Sequence, residues 1–141
     1  MDFRRFGDNF VVRLDPGDEI VESLMHLAGQ EGIHLASVSG MGAVNQITLG
    51  IFCPDTKQYK ANIFRADFEI VSLTGNLTTQ NGRPYAHLHM AVGDISGRCY
   101  GGHLNRAVVS ATAEIVVRCI DGTVEREPNP EIGLNLMHFE G

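Results

Sequence analysis

The sequence predicts an α+β fold, a mainly antiparallel β-sheet covered by one or two helices. Three observations lead there. Only residues 16 to 30 show a helical period behind a capping signal. The stretch from Ala107 to Ile120 alternates with a period of two. Turn signals such as Pro54-Asp55 and Asp121-Gly122 divide the rest into short strand-like runs.

Taken in order, Asn9 to Leu14 alternates and reads as a strand. Asp15 can then cap a helix, with Pro16 in its first turn and Asp18 and Glu19 near the positive end of its dipole. Ile20, Leu24, Leu27 and Ala28 follow at helical spacing, and Gly29 or Gly32 can end the element. His34 to Val38, Gln46 to Cys53, Gln58 to Phe64 and Phe68 to Leu77 read as strands. Residues 84 to 93 and 98 to 104 form a hairpin. In Ala107 to Ile120 one parity, from Val109 to Cys119, is wholly apolar, as a strand with one buried face requires. The tail Glu127-Pro128-Asn129-Pro130 reads as irregular, and Leu134 to Phe139 as a last short strand.

A chain of 141 residues suits one domain, residues 1–141, with a core that needs no staples. Its three cysteines, Cys53, Cys99 and Cys119, are odd in number and far apart. That argues against a disulfide framework or a cysteine zinc knuckle and fits a reducing compartment. No apolar run approaches a membrane span, and the N-terminal residues hold no apolar signal core, so a cytoplasmic protein with no membrane partner is expected. The net charge of −6, with eleven Lys and Arg scattered along the chain, argues against direct DNA binding.

Three of the six histidines lie in "YAHLHMAVGDISGRCYGGHL", residues 85–104. His87 and His89 are two apart on a strand and share a face. A three-residue loop, Asp94-Ile95-Ser96, with Gly97 free to take a positive φ, would set Gly93 against Gly97, His87 against His103 and His89 against Gly101. Directly opposed residues share a face, so three imidazoles converge. Three neutral imidazoles are a common set for a divalent metal with one open position, and zinc is the expected ion. Nickel, copper and iron also accept imidazole. Cys99 has the parity of His103 but stands roughly 13 Å along the strand, too far to share a metal. His26, His34 and His138 sit elsewhere and read as structural.

Other signals are weaker. Ser39-Gly40-Met41-Gly42-Ala43-Val44 suggests a phosphate loop, but Asn45 stands where the fingerprint needs a third small residue, and a tight turn or bulge is expected. Gly82-Arg83-Pro84 resembles the centre of an AT-hook without its basic flanks and reads as a turn. Glu69 and Glu114 lie in apolar strands. Either could serve as a general base beside a metal, or simply face solvent. No catalytic residue is assigned.

With these segments in view, nearly the whole chain resembles the PPC (plants-and-prokaryotes-conserved) domain family. The resemblance is carried by Ser39 to Val44, by Phe68-Glu69-Ile70-Val71-Ser72-Leu73-Thr74-Gly75-Asn76, by His87-Leu88-His89 with Gly101-Gly102-His103-Leu104, and by Ala111-Thr112-Ala113-Glu114. It implies a mainly antiparallel α/β fold assembled as a homotrimer, with His87, His89 and His103 as metal ligands. In plants such a domain follows AT-hooks and takes part in protein association within DNA-binding regulators, whereas prokaryotic members are usually the bare domain. This chain has no AT-hook. Where the plant partner-docking segment places Gly-Arg before Phe-Glu-Ile, Ala66-Asp67 stand here. Apolar residues on both strand parities independently favour a subunit interface: Ile47, Leu49 and Ile51 against Phe52, and Phe68 and Ile70 against Val71 and Leu73.

Two functions fit these features. One is a trimeric, non-enzymatic metal-binding module with a regulatory or DNA-associated interaction role, taking a protein partner or a small-molecule ligand. The other is a metal-dependent enzyme of the hydrolase or lyase class acting on a small molecule at the open metal position.

Overall fold

The computed structural model describes residues 1–139. The elements run β1 (Asp2–Phe6), β2 (Asn9–Leu14), α1 (Ile20–Glu31), β3 (Ala36–Cys53), β4 (Gln58–Gln80), β5 (Arg83–Gly93), β6 (Cys99–Cys119), β7 (Glu125–Asn129) and β8 (Leu134–His138). The predicted class holds, with one helix rather than two among the described residues.

Helix α1 starts later than expected. Asp15 to Asp18 close a turn of their own, with Asp18 N donating to Asp15 O at 3.0 Å. The cap is Glu19, whose carboxylate accepts from Glu22 N at 2.7 Å and, across the chain, from Ala107 N at 2.7 Å. Pro16 and the expected Asp15 cap therefore lie outside the helix, because Glu19 satisfies an orphan N–H that Asp15 cannot reach. Gly32 ends the helix with φ 64°, and Ile33 N donates to Ala28 O at 2.9 Å to complete the cap. The buried stripe Ile20, Leu24, Leu27 and Ala28 packs on β5 and β6.

The strands are longer than their sequence signals. His34–Val38 and Gln46–Cys53 merge into the 18-residue β3, and Gln58–Phe64 and Phe68–Leu77 into the 23-residue β4. Residues 98–104 and 107–120 merge into the 21-residue β6. Bulges carry the chain through the supposed breaks. Register shifts fall between Gly40 and Gly42 and between Val44 and Gln46, so Ser39–Val44 is a bulged strand and not a turn. A further shift between Ile70 and Ser72 leaves Val71 61% exposed and returns Leu73 to the core beside Ile70. The expected opposition of Ile70 and Leu73 fails for that reason. Strand β1 had no clear alternation, and Glu127–Asn129, expected to be irregular, belongs to β7. Asn81-Gly82 is the β4–β5 turn, with Arg83 and Pro84 already in β5.

The sheet order is β1-β2-β6-β3-β4-β7-β8, with β5 joined to both β4 and β6. Because β3 also pairs with both β4 and β6, strands β3 to β6 form a closed ring of pairings. One apolar cluster fills the interior, from Phe10 and Leu14 through Leu27, Ile47, Leu73 and Leu88 to Ile115. No helix of the described residues is long and apolar enough to cross a membrane.

Candidate metal centre and its cavity

The β5–β6 hairpin turns through Ile95-Ser96-Gly97, not Asp94-Ile95-Ser96. Asp94 N donates to Arg98 O at 2.9 Å, and Gly97, φ 75°, takes the last loop position itself. The Asp94 carboxylate fixes the turn by accepting from Ser96 N at 2.8 Å and Arg98 N at 3.0 Å. The loop keeps its predicted length but moves one residue along the chain, so every pairing moves by two. His89, not His87, faces His103, and Gly101 faces Ala91. A shift of two preserves the face, and the imidazoles still converge. His87 lies one step further, opposite Asn76 of β4.

The three rings stand 5.2, 5.3 and 5.6 Å apart between centroids. One ring nitrogen from each lies within 4.8 Å of the others, the one such His/Cys/Asp/Glu group found among the described residues. Ligand nitrogens on a tetrahedral zinc stand roughly 3.3 Å apart. The donor set and spacing therefore fit a metal after small ring rotations. Burial pushes the His87 and His103 imidazoles below their ordinary pKa, and the neighbouring Arg126 adds to the effect at His87. Both rings are thus held in the neutral form that binds metals.

Tight backbone packing positions these rings. A Cβ on Gly75 would stand 2.0 Å from the His87 carbonyl oxygen, so β4 and β5 meet more closely there than any side chain allows. A Cβ on Gly50 would stand 2.0 Å from the Tyr59 hydroxyl oxygen. That space lets Tyr59 lie edge-on to His103, 5.9 Å between centroids, while its hydroxyl donates to Asn105 Oδ1. Burial raises the Tyr59 pKa, keeping the phenol protonated.

The cluster opens into a cavity of about 880 Å³ with a largely apolar wall, including Phe52, Leu134, Leu136 and Met137. Arg126, on β7, lines it as well. Its guanidinium lies 4.9 Å from the Tyr85 ring centroid. It donates to Thr78 Oγ1 at 2.8 Å, Asn135 O at 3.0 Å and Asn76 Oδ1 at 2.9 Å.

The other sequence candidates lie elsewhere. Glu69 and Glu114 are exposed and do not line the cavity. His34 Nδ1 stands 3.4 Å from Thr123 Oγ1, His138 stands 3.6 Å from Glu127, and His26 is on α1. The three cysteines are free, and Cys99 is exposed opposite Gly93. Tyr59, Asn76, Asn105 and Arg126 had not been singled out. Asn76 alone carried a hint, as the last residue of the Phe68–Asn76 segment. Arg126 sits beside a tail that carried no strand signal.

Comparison with known proteins places this architecture. Residues 1–121 match the family model of the Plants and Prokaryotes Conserved (PCC) domain. The chain is similar to a candidate DNA-binding protein from Bacteroides thetaiotaomicron, at 35% identity and a TM-score of 0.95, covering 98% of this chain and 96% of that one. It is also similar to a metal-containing protein from Archaeoglobus fulgidus, at 31% identity and a TM-score of 0.87, covering 99% of each. Among curated proteins it is 32% identical to the bifunctional protein GlmU of Synechococcus sp. (strain JA-3-3Ab) over 93% of this chain. The match spans only 20% of that protein's length.

Proposed function

The chain belongs to the Plants and Prokaryotes Conserved domain family, and from that premise we propose that residues 1–141 act as a single-domain, homotrimeric metal-binding module with a regulatory, interaction-type role. His87, His89 and His103 would hold one divalent ion, zinc by preference. The observation that carries this reading is the meeting of three imidazole nitrogens within 4.8 Å at the wall of a ligand-sized cavity. The metal would supply a Lewis-acidic point. The chain's own residues would do the rest: His87 and His103 stay neutral, Tyr59 and Asn105 fix the ring of His103, and the apolar wall limits water.

A metal-containing relative supports the ion, and a candidate DNA-binding relative supports the regulatory setting. The charge of −6 and the absence of an AT-hook in this sequence favour association through protein or small-molecule contacts over direct DNA contact. The alternative, a metal-dependent hydrolase or lyase, draws on the same cavity. It is less well supported because Glu69 and Glu114, the carboxylates considered as its general base, are exposed and do not line it.

The trimer draws support from exposed apolar side chains on β3 and β4: Met41 at 63%, Ile51 at 61%, Ile63 at 60% and Val71 at 61%. Light scattering coupled to size exclusion should give a mass near 46 kDa, three times the 15.4 kDa of the chain. A monomer mass at every concentration would contradict it. Zinc titrated into chelator-treated protein should saturate one site per chain. Fluorescence titration with duplex DNA at about 150 mM salt should give only weak, sequence-indifferent binding. Nanomolar, sequence-selective binding would overturn the interaction-module reading.

A further inference from the structure

Arg126 is a buried cation, 6% exposed, that no carboxylate among the described residues balances; the Tyr85 ring, 4.9 Å away, offers its face but no negative charge. Its three hydrogen bonds all go to neutral acceptors: a hydroxyl, a side-chain amide and a backbone carbonyl. No carboxylate forms an ion pair with it among the described residues. A guanidinium has five N–H donors, so one N–H remains on each of Nη1 and Nη2. Among the described residues the cavity wall holds no Asp, Glu or Lys, and Arg126 is its one permanently charged residue. Buried charges are ordinarily paired. One without a carboxylate partner, with two donors left over and lining a cavity, marks the place of a counter-ion that arrives from outside.

We propose that this cavity takes a small organic anion, its carboxylate or phosphate head on Arg126 and beside the histidine centre, its apolar body against Phe52, Leu134, Leu136 and Met137. The inference rests on the metal-centre reading for half of its field, since a divalent ion on the histidines would add two positive charges to that of Arg126. The two spare Nη donors suit an oxyanion, and the apolar wall disfavours a fully hydrated inorganic ion. Arg126 and residues 134–137 lie beyond the part of the chain that matches the family model, residues 1–121. The anion site is thus built by the β7–β8 arm onto a wall that the family region provides.

Calorimetric titration of the zinc-loaded protein with hexanoate, hexyl phosphate, hexanol and hexylamine tests the proposal. At least one of the two anions should bind about tenfold or more tightly than hexanol, and the amine should not bind. Which anion wins identifies the head group. Arg126→Met should cut the preference for the anion over hexanol about tenfold, the metal's share of the field remaining. Should that variant fail to fold, the wild-type comparison alone decides. Equal binding of hexanoate, hexyl phosphate and hexanol would overturn the proposal. So would failure of both anions to bind, as expected if a carboxylate of a second copy of the chain already filled the place. Metal content measured on the same samples separates the two readings. A metal-free protein that still binds an anion through Arg126 would sink the metal centre alone. A metal-loaded protein with no anion preference would sink this inference alone.

Discussion

Two charged side chains are buried among the described residues, Glu19 at 8% exposure and Arg126 at 6%, and the fold treats them differently. Glu19 sits where α1 meets β6. Each of its carboxylate oxygens accepts a backbone N–H at 2.7 Å, one from the first turn of the helix and one from Ala107. Its charge meets the positive end of the helix dipole, and nothing is left to bind. Arg126 has three hydrogen-bonded partners, all neutral, and it borders a cavity. The lesson is that burial of a charge does not distinguish scaffold from site. The unmet remainder does. Glu19 locks two elements together, whereas Arg126 leaves donors and charge for something else.

The contrast breaks most readily at Glu19. Glu19→Ala orphans two backbone donors, one of them buried, and should cost about 2–4 kcal/mol. Urea denaturation would read this, with metal content per folded chain unchanged. Arg126→Met should cost less, about 1–2 kcal/mol, because the three acceptors it orphans are offset by removal of a buried charge that no carboxylate pairs. A loss as large as that of Glu19→Ala would show Arg126 to be equally structural and erase the distinction.

A pH series on metal-free protein sharpens the same point. His87 and His103 titrate below their ordinary value in the fold, so the unfolded chain binds more protons as the pH falls. Stability should be steady above the unfolded imidazole value, near 6.5, and decline as pH drops from there through the lowered folded values. Replacing both by Ala should flatten the decline. Smallest of all, Glu114→Gln should shift stability by less than about 0.5 kcal/mol and leave metal binding unaltered, as its exposed position requires.

The sequence made the scaffold side of this contrast partly legible and the site side only in half. The α1 stripe and the apolar parity of β6 were visible because burial on one face leaves a period. Strand lengths were not, because the bulges near Gly40, Val44 and Val71 reset that period inside a continuous strand. The histidine convergence was legible because a two-residue slip keeps the face, so an error in the turn did no harm. Arg126 was invisible. Its role depends on β7 lying beside β4, a parallel contact at Thr79 and Glu125 that leaves no mark in local spacing. Glu19 was placed near the helix start on dipole grounds, but its bond to Ala107 spans 88 residues, beyond any local pattern.

The metal centre stands or falls with His87, His89 and His103 acting as one ligand set. Elemental analysis of tag-free protein, beside His89→Ala and a His26→Ala control, tests it most directly. About one divalent ion per chain is expected in the wild type and in His26→Ala. His89→Ala should lose nearly all of it, since removing one of three ligands weakens such a site severely. A stoichiometry unchanged by His89→Ala, or a wild-type chain that takes up no metal from a zinc-supplemented buffer, would contradict it.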